Sequence, residues 1–403
     1  MFRVFRLINR FNLGGPTFNV TYLTKFLSPE FETLLAGGVK DESEASSEHI
    51  PEEYGIKPVI IDTMKRSINP VNDIVAYNSI KKLIKEYKPH IVHTHASKAG
   101  FLGRMAAISC NVPVIVHTFH GHVFHSYFNN IQTSVYKNIE KYLGSKSTAL
   151  IALSDKQKIE LAEIHKIAAA EKFHIIPLGF DLERFWTNTE IKRKNFRAQY
   201  KLDEDTIAIG IMGRLVPIKN HALFLEAFKT VKEGTQKKIK AFIIGDGELK
   251  QTLVNQCIKY NLSYSTVENQ NLSASVIFTS WIKDTDTAMA GMDMVALSSL
   301  NEGTPVSLIE AQAAGKPVIS TITGGIENVV IPNVTALLSP LNDSGLFSEN
   351  MSKMVNDNEL RNRLSKGGRE FVSNNFSYIA LAENMSNLYK KLLTDKGIRK
   401  IEN

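Results

Sequence analysis

Short apolar runs alternate with amphipathic stretches along nearly the whole chain, a pattern that predicts repeated strand–helix–strand units. In the first half, residues 2–8, Glu32–Ala36, Pro58–Asp62, His90–His95, Pro113–His120, Ala149–Leu153 and His174–Leu178 read as strands. Helical stretches are read over Thr17–Leu27, Asn72–Tyr87, Lys98–Ser109 and Val123–Lys146. Ile74, Val75, Ile80, Leu83 and Ile84 fall near helical spacing on the second of these, and Ile131, Val135, Ile139, Tyr142 and Leu143 share a face on the last. In the second half the strands are Ile207–Met212, Lys240–Ile244, Val276–Trp281, Asp293–Leu297 and Pro317–Thr321. Helices follow at Ala222–Glu233, Val306–Ala314, Leu346–Val355, Glu359–Val372 and Tyr378–Leu393, while Asp41–Glu53 and Tyr260–Ala274 read as polar loops. The fold class is therefore α/β.

The 403 residues suffice for two to three domains, and 43% hydrophobic with 22% charged residues excludes a disordered chain. No apolar run approaches the roughly 18 residues that span a bilayer. Arg3, Arg6 and Arg10 interrupt the N-terminus as a signal peptide would not allow, so a cytoplasmic protein is expected. Cys110 and Cys257, far apart in sequence, suggest core thiols rather than a disulfide framework or a metal site. The net charge of +7 is concentrated: Lys81 to Lys158 holds eleven Lys/Arg against three Asp/Glu, a local +8. Such a half-domain suits an anionic lipid surface or an acidic substrate, and none of the nucleic-acid modules is present to favour nucleic acid.

Candidate chemistry gathers where predicted strands end. In SSLNEGTPVSLIEAQAAGKPVISTITGG, residues 298–325, Thr304 and Pro305 supply a helix cap and a first helical residue, and Gly315 and Pro317 end the helix. The unpaired amides at such a helix start suit a phosphate, and Glu302 and Glu310, eight residues apart, are carboxylates that accept hydrogen bonds from sugar hydroxyls. GRLVPIKN, residues 213–220, places Arg214 and Lys219 at another strand end, where two cations can neutralise a pyrophosphate. Gly14-Gly15 after the first strand either makes a tight turn or lets a phosphate or sugar approach the backbone, and it lacks the spacing of a nicotinamide-binding loop. His93, His95, His117, His120, His122 and His125 allow a metal site, but no cysteine or regularly spaced carboxylate completes a set; strand ends lining a cleft account for them better. Asp284-Thr285-Asp286 is read as acid at a helix N-terminus.

GRLVPIKN and EGTPVSLIE together resemble the G-R-L-x-x-x-K-N and E-x7-E elements of glycosyltransferase family 4, of the bacterial surface-polysaccharide type. The resemblance implies a GT-B fold, two Rossmann-like domains facing across a central cleft. It implies boundaries of 1–182, completed by a C-terminal helix 378–394, and 183–377, since Gly179–Phe185 is similar to the family's interdomain linker. It also implies sugar transfer from a nucleotide diphosphate donor with retention, by a front-face mechanism with neither metal nor enzymic nucleophile, so no cofactor is expected. On this resemblance Arg214 and Lys219 bind the diphosphate with Gly303 and the amides of Thr304, Val306 and Ser307. Glu310 binds ribose, Glu302 a donor-sugar hydroxyl, and Ile282 lies against the base, with Ser280 standing where the family has glycine. Gly15 faces the donor. His120 of Thr118-Phe119-His120 touches the sugar, with His122 as the alternative. HTHASKAGFLGR and HTFHGHVFH favour a UDP-sugar donor and a glycan or lipid-linked glycan acceptor, at the inner face of the cell membrane. Peripheral contact with anionic membrane would fall to Phe124, Tyr127, Phe128 and the lysines Lys137, Lys141 and Lys146, although a surface helix packed on its own sheet is the plainer reading. A sugar-nucleotide epimerase or hydrolase on the same fold, or a non-catalytic membrane-associated subunit, are the competing functions.

Overall fold

The computed structural model describes residues 1–11, 15–39, 47–65, 67, 69–120 and 130–399, the backbone alone over 130–133. Gly14, the start of the acidic loop, His122, His125, Phe124, Tyr127 and Phe128 therefore lie outside the described residues. The chain divides into Met1–Phe180 with Asn375–Asn403, and Asp181–Asn374. The boundaries read from sequence, 182 and 378, lie two and three residues from these.

In the first unit the strands are β1 (Phe2–Arg10), β2 (Phe31–Gly38), β3 (Val59–Ile61), β4 (Ile91–His95), β5 (Val114–Thr118), β6 (Ala149–Ala152) and β7 (Phe173–Ile175), in the order β3-β2-β1-β4-β5-β6-β7. All neighbours run parallel. A parallel sheet covered on both faces needs strands that are buried throughout, and β4 and β5 are buried at every position. The last helix, Tyr378–Asp395, belongs here because Leu381, Met385, Leu388, Tyr389 and Leu392 pack with Phe2, Val4, Leu23 and Phe31. The backbone carries the same link: Tyr378 N–H donates to Phe180 O at 3.0 Å.

The second unit repeats the plan with β8 (Ile207–Met212), β9 (Ile239–Ile244), β10 (Tyr264–Ser265), β11 (Val276–Ser280), β12 (Met294–Leu297), β13 (Val318–Ile322) and β14 (Ala336–Pro340). Their order is β10-β11-β9-β8-β12-β13-β14, again parallel. In both sheets the chain crosses back over its first strand, between β1 and β4 and between β8 and β12. Doubly wound sheets bind ligands outside the carboxyl ends of the strands at such a reversal.

Several elements depart from the sequence pattern, each for a visible reason. Helix Thr189–Gln199 forms where the apolar pattern predicts no element, because Phe196 is its one buried apolar side chain; charge anchors it instead, with Arg193 and Arg197 on the Asp293 carboxylate at 2.7 and 3.2 Å. β14 is a strand where none was expected, and Tyr264-Ser265 makes a two-residue edge strand inside the expected loop. His49–Glu53 is a short helix rather than loop. On helix Pro70–Tyr87, Ala76, Ile80 and Ile84 face inward while Ile74 and Val75 are exposed. On helix Asn130–Lys146, the buried face carries Glu140, whose two carboxylate oxygens accept from Arg104 Nη2 at 2.8 and 2.7 Å. That pair rotates the helix so that Leu143 is buried but Val135 and Tyr142 are exposed. Cys257 is a buried thiol, whereas Cys110 is half-buried at the end of helix Ser97–Ser109. No helix among the described residues is long and apolar enough to cross a membrane.

Candidate active site

At the strand-order reversal of the second unit, the loop after β8 and the loop after β12 are tied together. Leu300 N–H donates to Ile218 O at 2.8 Å, and Ser298 Oγ donates to the Lys219 and Asn220 carbonyls at 3.1 and 2.8 Å. This frame brings Lys219 Nζ to 2.5 Å from Glu302 Oε1, which also accepts from Ser299 Oγ at 2.6 Å. Glu302 Oε2 has no partner among the described residues. Gly324 and Gly325 allow the close approach of chain behind the loop: a Cβ on either would lie 1.9 Å from Glu302 O or 1.8 Å from Gly303 O. A Cβ on Gly303 itself would meet nothing within 4 Å.

Arg214 sits on the first of these loops, exposed and without an ion pair among the described residues. Its loop is held from beneath: Leu215 N–H donates to Asp246 O at 2.9 Å, and a Cβ on Gly245 would be 2.0 Å from Gly213 O. Ser280 Oγ donates to Asp246 Oδ2 at 2.9 Å. Ser280 adopts the left-handed conformation, φ 58°, that glycine adopts readily, so the serine keeps the backbone course and adds a hydrogen bond. Ile282, two residues on, is half-buried.

Helix Val306–Ala313 begins at Val306 as expected, but Pro305 is not its first helical residue. Pro305 occupies the cap position with φ −76° and ψ 86°, and no side chain caps the helix, so Thr304 is not its cap. The N–H groups of Thr304, Val306 and Ser307 have no acceptor among the described residues. Uncapped first-turn amides carry the positive end of the helix dipole, and next to Arg214 and Lys219 they suit an anion. Glu310, in the next turn, has separate partners: Arg184 Nη2 lies 3.7 Å from its Oε1, and the same nitrogen donates to Thr285 Oγ1 at 3.1 Å. Burial pushes the Glu310 carboxyl up to about 7, with Arg184 drawing it down and Asp286 adding to the rise. Asp286 lies in the first turn of helix Thr285–Gly291, as read from the sequence, and is also paired with Lys192 at 2.8 Å.

In the first unit, the buried His93 and His95 of β4 and the half-buried His120 after β5 lie together. His93 Nδ1 is 2.6 Å from Tyr389 Oη and its Nε2 2.8 Å from Thr118 Oγ1. His95 Nδ1 is 2.9 Å from His120 Nε2. Desolvation holds His93, His95 and His117 well below the usual imidazole range and His120 at about 4. Among the described residues no group of three or more His, Cys, Asp or Glu is arranged to hold a metal ion. Gly15 starts helix Gly15–Phe26, where a Cβ would make ordinary 3.5 Å contact with Leu178, so the described structure gives no steric need for glycine there. Sequence reasoning missed Ser299, Arg184 and His95 as site residues. Ser299 and Arg184 carry no motif signal of their own, while His95 was visible in the histidine cluster.

Two seven-stranded parallel sheets, with buried histidines at the strand ends of the first and cations, carboxylates and free amides at the switch point of the second, define the class: a glycosyltransferase of GT-B fold. Residues 33–184 match the family model described as Glycosyltransferase Family 4 and residues 192–371 that described as Glycosyl transferases group 1. The chain is 32% identical over 345 residues, 85% of each chain, to the UDP-Gal:alpha-D-GlcNAc-diphosphoundecaprenol alpha-1,3-galactosyltransferase of Escherichia coli. It is 26% identical over 342 residues, 82% of this chain and 84% of the relative, to the capsular polysaccharide biosynthesis glycosyltransferase CapM of Staphylococcus aureus. Among solved structures, Anabaena Alr3699/HepE in complex with UDP matches in fold with a TM-score of 0.79 and 18% identity, over 96% of this chain and 100% of that one. The protein belongs to glycosyltransferase family 4.

Proposed function

We propose that the enzyme transfers a sugar from a UDP-sugar, with retention at the anomeric carbon, to a lipid-linked glycan during assembly of a surface polysaccharide. The observation that carries this reading is the joined Lys219–Glu302–Ser299 cluster beside Arg214 and the free amides of Thr304, Val306 and Ser307. Negative charge develops on the departing diphosphate, and fixed cations and amides act on it most strongly in the transition state. Glu302 has a free oxygen for a sugar hydroxyl, Glu310 a buried carboxylate for ribose, and Ile282 follows the Ser280 turn proposed for the base. Gly15 and His120 complete the proposed donor contacts. This chemistry is proposed to need neither a metal nor a covalent enzyme intermediate. The printed donor and acceptor of the Escherichia coli relative support the UDP-sugar and lipid-diphosphate assignment.

A lipid-linked acceptor also fits the surface of the first unit. Val71 and Ile74 on one helix and Val135 and Tyr142 on another are 49 to 70% exposed, and Lys82, Lys85, Lys141 and Lys146 on those helices are exposed as well. Apolar side chains with interspersed lysines favour contact with anionic lipid. The test is an assay of UDP-sugars with a polyprenyl-diphosphate-linked sugar, read by product mass and anomeric configuration. An acceptor-dependent product with the donor's anomeric configuration is expected. An epimerised or hydrolysed donor without acceptor would overturn the reading in favour of epimerase or hydrolase activity. Consumption of no UDP-sugar would remove the donor assignment.

A further inference from the structure

Glu302 and Ser299 share the loop after β12, but the chain holds them differently. Beside Glu302, a Cβ on Gly303 would meet nothing within 4 Å, so no packing confines the turn from that side. Ser299 is fully buried, and its carbonyl accepts from Thr321 Oγ1 of β13 at 2.6 Å. The next carbonyl, Leu300 O, accepts from Thr323 Oγ1 at 2.8 Å, while Leu300 N–H reaches Ile218 O on the loop after β8. The backbone that carries the Ser299 hydroxyl is therefore fixed from both neighbouring strand ends.

That hydroxyl donates to Glu302 Oε1 at 2.6 Å, the distance of a charge-assisted O–H···O bond, and Lys219 Nζ donates to the same oxygen. Glu302 Oε2 has no partner among the described residues and is not closed off from solvent. The two holds on Oε1 differ in permanence. The Lys219 ammonium is a partly exposed charge on a flexible stem, and a diphosphate brings more negative charge to it than one carboxylate does. A donor that draws the lysine away leaves Oε1 to Ser299 alone. The serine hydroxyl is neutral and sits on fixed backbone, so its hold outlasts the arrival of the donor. Without it the carboxylate is free to turn about χ3, a torsion with broad wells.

We propose that Ser299 is a positioning residue: its hydroxyl keeps Glu302 Oε1 while Lys219 turns to the diphosphate, and so leaves Oε2 to accept from a hydroxyl of the donor sugar. The statement rests on the UDP-sugar reading above. It assigns Ser299 to recognition of the sugar and not of the nucleotide.

The test sets the wild type against Ser299→Ala and Ser299→Thr, with UDP binding read by titration calorimetry and transfer from the UDP-sugar and its monodeoxy analogues read by steady-state kinetics. In Ser299→Ala, UDP affinity should stay within about twofold of wild type, while kcat/KM for the UDP-sugar falls about tenfold or more, as expected for a lost hydrogen bond to a charged group. In the wild type one deoxygenated donor should be disfavoured about tenfold or more, and Glu302→Ala identifies it by erasing that penalty. The same penalty should shrink in Ser299→Ala, a coupling that a merely destabilising change does not produce. Ser299→Thr, which keeps the hydroxyl, should restore it. An unchanged deoxy penalty in Ser299→Ala, or a loss of UDP affinity equal to the loss in kcat/KM, would overturn the proposal. If the added methyl keeps Ser299→Thr from folding, the deoxy penalty in Ser299→Ala decides the matter. A wild type that binds no UDP removes the donor reading and this role with it, whereas UDP binding with an unchanged penalty in Ser299→Ala removes the role alone.

Discussion

The two units use charge in opposite ways. In the first, charged side chains are consumed by the fold: Arg104 and Glu140 are both fully buried against each other, and Arg6 spends its guanidinium on Thr24 and Tyr389. The histidines at its strand ends are neutral. In the second, charge at the strand ends is kept within reach of solvent: Arg214 is exposed, and Lys219 and Glu302 are paired but retain 23 and 10% side-chain exposure. The same doubly wound plan thus presents hydrogen-bonding imidazoles in one unit and, in the other, solvent-edged charge that suits the proposed anion site. The difference follows from what surrounds each strand end, since burial without a counter-ion drives an imidazole neutral, whereas the Lys219–Glu302 pair lies at the solvent edge.

The largest effect expected from this comparison is on stability. Glu140→Ala would strand a buried guanidinium and cost about 3–5 kcal/mol, read by denaturant unfolding, with UDP affinity of the folded fraction unchanged. Next in size, Lys219→Ala should lower turnover by about two orders of magnitude while shifting the unfolding midpoint little, because its charge is spent on ligand rather than fold. An exchange of these two outcomes would break the comparison. A smaller effect sharpens it. The folded Glu310 carboxyl lies at about 7, above its ordinary 4.5, so ionising it opposes folding increasingly as pH rises from the unfolded value through the folded one. A ribose that donates hydrogen bonds to the carboxylate reverses that preference. UDP binding should therefore tighten as pH rises toward neutrality, being about tenfold weaker one unit below the folded value, and Glu310→Gln should flatten the profile. A flat wild-type profile would remove Glu310 from the binding site. Arg184→Ala should move the same profile to higher pH, by less than one unit, since Arg184 is half exposed and its pull is screened.

Most of the fold was legible because parallel strands buried on both faces must be apolar runs, and the runs ending at Met212, Leu297 and Ile244 were unambiguous. Helix Thr189–Gln199 was not, because its hold on the unit is ionic and its periodicity polar. The motif residues Lys219 and Glu302 were legible as types at strand ends, but their direct pairing was not, since it depends on how two loops cross. Helix Val306–Ala313 was placed correctly, yet its uncapped start could not be read: Thr304 is a good cap by type, and only the backbone angle at Pro305 shows that it does not serve as one.

The central claim is that the unit Asp181–Asn374 holds a uridine diphosphate at the β8 and β12 strand ends. Titration calorimetry of UDP, GDP and ADP against the wild type and Glu310→Ala tests it most directly. Micromolar binding of UDP over the other two, with a loss of roughly 1 kcal/mol or more in the variant, is the predicted result. Absence of binding by all three, or equal affinity in the variant, would contradict it.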